Sequence, residues 1–208
     1  GGIIISGASP QLRYLIITNN SGQEKGAGIY VESSSSYFSN LQIINNSVSS
    51  GAGAGGGIYC ALSNITIESS LIKDNTAHYG AGISSVNGNV DIFNSTISNN
   101  SNSSWDGAGL YLNQTGGTCK NVLFSKNTVS VGGNSAYGSA FSVSGSNPIF
   151  EQCTFIDNNG ACGWIKYVSN TIIRNCIFYD NPDGAIKLNG TTNPTIATAD
   201  ITYNNFFN

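Results

Sequence analysis

The sequence predicts an all-β solenoid, a single-stranded parallel β-helix of about eight coils with three short strands in each. Three observations predict it. The phrase Gly26-Ala27-Gly28-Ile29-Tyr30-Val31 returns as Gly55-Gly56-Gly57-Ile58-Tyr59-Cys60, as Gly80-Ala81-Gly82-Ile83-Ser84-Ser85 and as Gly107-Ala108-Gly109-Leu110-Tyr111-Leu112. Self-similarity at such a period marks a repeat architecture. A second phrase, an apolar residue followed three positions later by Asn, comes after each copy of the first. The two phrases keep a near-constant separation, whereas the stretch from each Asn to the next Gly-rich phrase varies.

The coils can be written out as columns. The apolar residue of the first phrase falls at Ile3, Ile29, Ile58, Ile83, Leu110, Phe141, Ile165 and Ile186. The Asn of the second falls at Asn20, Asn46, Asn75, Asn100, Asn127, Asn158, Asn181 and Asn204, the last following Ile201. Their separation is 17 residues in the first six units, 16 in the seventh and 18 in the eighth. Two residues after the first column stand Ile5, Val31, Cys60, Ser85, Leu112, Val143, Tyr167 and Leu188. Eight before the Asn stand Leu12, Phe38, Ile67, Ile92, Cys119, Phe150, Ile173 and Ile196. Five before it stand Leu15, Leu41, Ser70, Ser95, Val122, Cys153, Cys176 and Ala199.

Apolar residues spaced by two read as strands, and the Gly, Asn and Ser between them as tight turns. Strands this short bury a face only when stacked on their neighbours. At a coil spacing of about 4.8 Å, eight coils make a rod on the order of 35–40 Å long. The Asn column is expected to tolerate a left-handed turn and to bond amide to amide along the stack. The phrase glycines mark a bend where a Cβ is unwelcome. Parallel crossovers are right-handed, so the coil is expected to be right-handed.

Composition excludes several functions. Charged residues make up 9% of the chain, against about a quarter in a soluble domain. The net charge is -3 with 8 scattered basic residues, so no basic patch is available for nucleic acid. No apolar run is long enough to span a bilayer, and the chain does not open on a signal-peptide pattern. Five Cys without a C-x-x-C spacing argue against a zinc site, and no cofactor or metal is expected. The whole of 1–208 reads as one array. Neither end reads as a cap, which suggests a segment of a longer array.

The phrases Gly-Gly-Ala/Gly-Ile and Phe-x-x-Asn, the latter in Phe124-Ser125-Lys126-Asn127, Phe155-Ile156-Asp157-Asn158 and Phe178-Tyr179-Asp180-Asn181, resemble the repeat of the chlamydial polymorphic outer membrane proteins. The resemblance covers the chain unit by unit. It implies a right-handed parallel β-helix at the cell surface, often serving adhesion. Ile or Leu often stands where that repeat has Phe, and residues 1–208 include no barrel translocator.

Few residues suggest chemistry. Asp157 and Asp180 share the position before the Asn in adjacent coils, with Lys126 one coil earlier. A carboxylate spacing of about 5 Å resembles that of retaining glycosidases. The same column reads Asn19, Asn45, Asp74 and Asn99 elsewhere, so a polar turn is the preferred reading. Tyr30, Tyr59 and Tyr111 share the outward position of the first strand, replaced by Ser84 and Ser142 and ended by Lys166 and Lys187. Such rings can stack on sugars or simply face a neighbouring molecule. Trp105 stands in a polar corner and either tucks onto the rod or marks a contact. His78 reads as a loop residue.

Cys153 and Cys176 read as a reduced, inward-facing ladder. Cys60 and Cys119 read as core, and Cys162 as the exception. Among eight Asn-x-Ser/Thr sequons, Asn64 and Asn102 are the plausible glycosylation acceptors.

Together these observations suggest a non-enzymatic extracellular scaffold, part of an adhesin, stalk or filament. Its partners would be neighbouring copies, a cell-surface protein or a glycan, met at the variable corners Ser47–Gly55, Ser101–Asp106 and Ser130–Tyr137. The alternatives are a carbohydrate-active enzyme using Asp157, Asp180 and Lys126, and a sugar-binding module using the tyrosines.

Overall fold

The computed structural model describes all residues except 104–105, 131–136, 190–196 and 208. The described chain is all-β and winds as a parallel solenoid. A representative coil runs through strands Ile29–Glu32, Ser35–Ser39, Gln42–Ile44 and the two-residue strand Ser47–Val48. The first two positions stack into one 15-stranded sheet, the third into an 8-stranded sheet and the fourth into a 5-stranded sheet. Every pairing between coils is parallel, as in Ile29↔Ile58 and Ile43↔Ile72. Eight stacked rungs make about seven turns. The fourth strand, at the variable corner, adds to the three expected per coil.

Each coil turns where the backbone enters the left-handed region. In the representative coil these sites are Gly26, Ser33, Asn40 and Asn45, with φ between 52° and 61°. The left-handed residue is therefore the one before the Asn column, namely Asn19, Asn45, Asp74, Asn99, Lys126, Asp157 and Asp180, and not the column Asn itself. Short polar side chains dominate there because they bear αL at least cost, Lys126 being the departure.

The Asn column has a different task. Each buried amide lies across the gap between coils. Asn46, Asn75, Asn100 and Asn127 each donate Nδ2 to the Oδ1 of the next Asn at 3.0–3.1 Å. Asn20 and Asn158 do the same at 2.9 and 3.2 Å. The backbone N–H of each also donates to that Oδ1. From Asn46 on, the second Nδ2 proton reaches a carbonyl of the preceding coil, for example Ile72 O from Asn100. Buried backbone and amide groups are thus paired without water. The ladder holds while successive members are between 23 and 31 residues apart.

Inside the solenoid the apolar columns form one continuous core. Its C-terminal half is aromatic. Phe124, Phe155, Phe178 and Phe206 stack face to face with centroids 4.6–5.0 Å apart.

Two registers differ from the sequence reading. In the seventh unit Gly163, not Ile165, pairs with Phe141 and Ile186, and Ile165 takes the place after Val143 and before Leu188. The Phe141 ring fills the space that a side chain on residue 163 would need: a Cβ there would lie 2.2 Å from Phe141 Cζ. Tyr167 consequently leaves the inward column and is exposed at φ 59°. Trp164 and Lys187, not Lys166, continue the outward column of Tyr111 and Ser142.

In the eighth unit Phe206 pairs with Phe178, and Ile201 with Ile173. Asn204 is therefore not a member of the Asn ladder. It stands beyond Cys176, accepting the Cys176 N–H at 2.7 Å and donating to Ile173 O. The aromatic stack decides this register, since Phe206 continues it and Ile201 does not. Ile196, expected in the core, lies outside the described residues, and Ala199 pairs with Thr171 instead.

Candidate functional site

Two columns of side chains meet over the outer face of the first strand. One is the outward column Tyr30, Tyr59, Ser84, Tyr111, Ser142 and Trp164. The other is the residue before each corner glycine. Lys25, Ala54 and Tyr79 bridge one another in parallel, and Asp106 joins them through the bond from Gly80 N to its carbonyl. The corner folds so tightly onto the strand that a Cβ on Gly55 would lie 2.7 Å from Tyr59 Cα. Glycine at positive φ is the residue that permits this approach. The side chain before the glycine is thereby laid against the outward column.

The result is a cleft of about 580 Å³. Tyr59 and Tyr111 stand on either side of Ser84, with Ala54 and Tyr79 alongside. Tyr30 lies outside the cleft and stacks on Tyr59, centroids 5.6 Å apart and 17° from parallel. Lys25 Nζ sits 4.9 Å from the Tyr59 centroid, a cation over an aromatic face. Tyr79 packs at 6.0 Å from Tyr111. Burial, aided by the Asp106 carboxylate, pushes the Tyr111 hydroxyl up to about 12.

The far end of the cleft holds a buried ion pair. Lys166 Nζ donates to Asp106 Oδ1 at 2.5 Å, and Ser142 Oγ donates to the same oxygen at 3.0 Å. Lys166 also lies 4.2 Å from the Trp164 ring centroid. The pair joins residues 60 apart in sequence and clips the corner that ends at Asp106 onto a strand two coils further on. Oδ1 is thus held twice, and the two charges offset each other.

Ser84 is the least satisfied member. It is 1% exposed, and its Oγ has no hydrogen-bond partner among the described residues.

The sequence candidates divide accordingly. Tyr59 and Tyr111 line the cleft and Tyr30 buttresses it. Trp105 lies outside the described residues. Asp157, Asp180 and Lys126 are exposed turn residues with φ of 54°, 50° and 55°, and they do not line this cleft. Asn64 is exposed. Asn102 is buried, and its Nδ2 donates to Asp106 O at 2.6 Å, so it is not an open glycosylation acceptor.

His78 is half-buried, with Nδ1 3.1 Å from Ser103 Oγ. All five cysteines are free and buried, Cys162 included, so it is no exception. Cys153 N donates to Cys176 Sγ at 3.4 Å, extending the ladder that Ser70 and Ser95 make with their hydroxyls. The pairing of Asp106 with Lys166, and the places of Lys25, Tyr79 and Ser84 in the cleft, were not read from the sequence. Their signal is positional: Lys25, Ala54, Tyr79 and Asp106 each stand before a corner glycine and line the cleft beside the outward column.

Searches of curated proteins and of solved structures returned no match. A family model described as a right handed beta helix region matches residues 1–129 and again residues 108–208. With parallel stacking throughout and both matches together spanning the sequence, the chain belongs to the right-handed beta-helix family.

Proposed function

We propose that this chain is a non-enzymatic scaffold segment of an extracellular, cell-surface protein such as an adhesin, stalk or filament, making its contacts from its outer faces. The observation that supports it best is how the buried polar groups are used. The Asn amides are committed to stacking coils, and the buried carboxylate of the cleft, Asp106, is held by Lys166 and Ser142. A buried carboxylate paired with a lysine is held in its charged form as part of the scaffold, which fits a structural use better than proton transfer. The resemblance to the chlamydial surface repeat supports placement outside the cell. Partners of this kind would be further copies, a surface protein or a glycan.

A second reading keeps one observation in its favour. The fold is compatible with pectin-lyase-like enzymes, and an acid–lysine pair ends an aromatic cleft. One experiment separates the two. Beads coated with the protein are tested for adhesion to cells, and the protein is incubated with a panel of plant, bacterial and animal polysaccharides. The scaffold reading expects adhesion without new reducing ends or unsaturated products. Sugar release that disappears in Asp106→Asn or in Asp157→Asn/Asp180→Asn would overturn it.

A further inference from the structure

We propose that the outer face of the eight-stranded sheet pairs with the same face of a second copy, the two rods running antiparallel about a two-fold axis between the strands Leu123–Ser125 and Thr154–Ile156. The proposal rests on reading the chain as a contact scaffold and names one of its partners, a further copy.

The middle residue of each strand in this sheet, such as Ile72 or Phe124, is buried in the core, so the residues beside it face outward. The first of these alternates along the rod. Ile16, Leu71, Leu123 and Ile177 stand in every other strand, and Gln42, Thr96, Thr154 and Asn205 stand between them. Ile16, Leu123 and Ile177 are exposed, and Leu71 is half-buried. Aliphatic side chains therefore recur about every 9.6 Å, with polar ones in the gaps. Such a row fits itself when reversed. Set antiparallel and offset by one strand, each aliphatic side chain of one copy enters a gap of the other and touches the aliphatic neighbours on either side, as in an interdigitated sheet interface.

Charges at the edge of the face choose among the registers. The left-handed turn residue after each strand reads Asp74, Asn99, Lys126, Asp157 and Asp180 from the third coil to the seventh. Lys126 and Asp157 are exposed, and neither side chain forms an ion pair among the described residues. In an antiparallel pair Lys126 can face the partner's Asp74, the partner's Asp157 or the partner's Asp180. The first and last of these set Leu123 squarely against the partner's Leu71 or the partner's Ile177, ridge on ridge. The second sets Leu123 over the partner's Thr154 and Ile177 over the partner's Thr96. One register thus satisfies both the row and the charges, and the two-fold axis forms the Lys126–Asp157 contact twice. Rods running the same way would exchange the two edges and set Lys126 against the partner's Asn121, with no acid to meet. Six strands of each copy overlap, about 29 Å along the rod and about 17 Å across with the turn residues included. The pair buries on the order of 1,000 Å² in all, the lower bound for a specific interface, so a weak and reversible dimer is expected.

The test is sedimentation velocity from about 5 to about 500 μM, a range that brackets the affinity of an interface this small. Wild type is expected to show a concentration-dependent monomer–dimer equilibrium. Lys126→Glu and Asp157→Lys each bring like charges together twice and are expected to raise Kd about tenfold. Mixing these two variants is expected to restore pairing, because each then meets the opposite charge on the other; a contact within one chain could not be rescued in this way. Thr154→Leu fills a gap in the row. A merely adhesive surface would gain from the added apolar group, whereas interdigitated rows are expected to pair about tenfold more weakly. Wild type that stays monomeric throughout overturns the proposal. So does a dimer indifferent to Lys126→Glu, a dimer strengthened by Thr154→Leu, or a mixture of the two charge variants that stays monomeric. Beads that adhere to cells while the wild type stays monomeric remove the pair and leave the scaffold reading standing. A dimer that releases sugars keeps the pair and overturns that reading.

Discussion

Replacing Asn100 by Ala tests the ladder at its centre. Asn100 is fully buried. Its side chain accepts from Asn75 N at 3.0 Å and from Asn75 Nδ2 at 3.1 Å, and donates to Ile72 O and Asn127 Oδ1 at 3.1 Å each. Truncation removes four bonds and leaves at least three buried groups short of a partner. At about 1–1.5 kcal/mol for each, the loss is about 4 kcal/mol. The control is Asn20→Ala. Asn20 is half-exposed and gives up two donated bonds, to Asn46 Oδ1 and Thr18 O, so about 1 kcal/mol is expected.

At about 2.1 cal/mol/K per residue, a chain of 208 residues has an unfolding entropy of roughly 0.44 kcal/mol/K. The two substitutions therefore lower Tm by about 9 °C and 2 °C. The assay is thermal and urea unfolding followed by circular dichroism. Equal costs for Asn100→Ala and Asn20→Ala would refute the ladder as a source of stability.

Three further outcomes are expected. Burial pushes the Cys60 thiol from 9.0 up to about 12 and raises Cys119 still further. The folded state holds these protons more tightly, so their contribution is complete below pH about 9 and is lost as pH rises through about 12; Cys60→Ala should flatten that fall, and native protein should resist iodoacetamide until urea is added. Asp106→Asn leaves the Lys166 charge buried without its ion-pair partner and should cost about 3–5 kcal/mol, with Asp106→Asn/Lys166→Met recovering much of it in a double-mutant cycle. Gly163→Ala drives a Cβ against the Phe141 ring and should cost about 2 kcal/mol, relieved when Phe141→Leu is added; a neutral Gly163→Ala would place Phe141 elsewhere.

The fold was legible because its determinants recur at one spacing. Ile29, Ile58 and Ile83 announce the strand, and Asn46, Asn75 and Asn100 the ladder, with no need to know which coil touches which. The errors fall where a side chain from another coil decides. Gly163 carries no apolar group, so a pattern of apolar residues passes over it, yet the ring of Phe141 occupies its place. Asn204 stands in the expected phrase after Ile201, but stacking of Phe206 on Phe178 overrides the local pattern. The cleft was half legible. Tyr59 and Tyr111 lie in the regular part of the coil, whereas Tyr79 and Asp106 close the irregular corners, where length and composition vary. No local pattern relates Asp106 to Lys166, because the solenoid brings them together only after two further turns.

The Asn ladder also gives the rod a sense. From Asn20 to Asn158 every amide donates toward the next coil and none donates back to the previous Asn. The dipoles of these bonds add along the axis, and hydrogen bonds in such a chain polarise one another. The molecule is an arrow, with tip and tail chemically distinct. Two such rods meeting tip to tip would face donors with donors. Any assembly that prolongs the ladder must run tip to tail, so a fibre built from it would have a direction of growth.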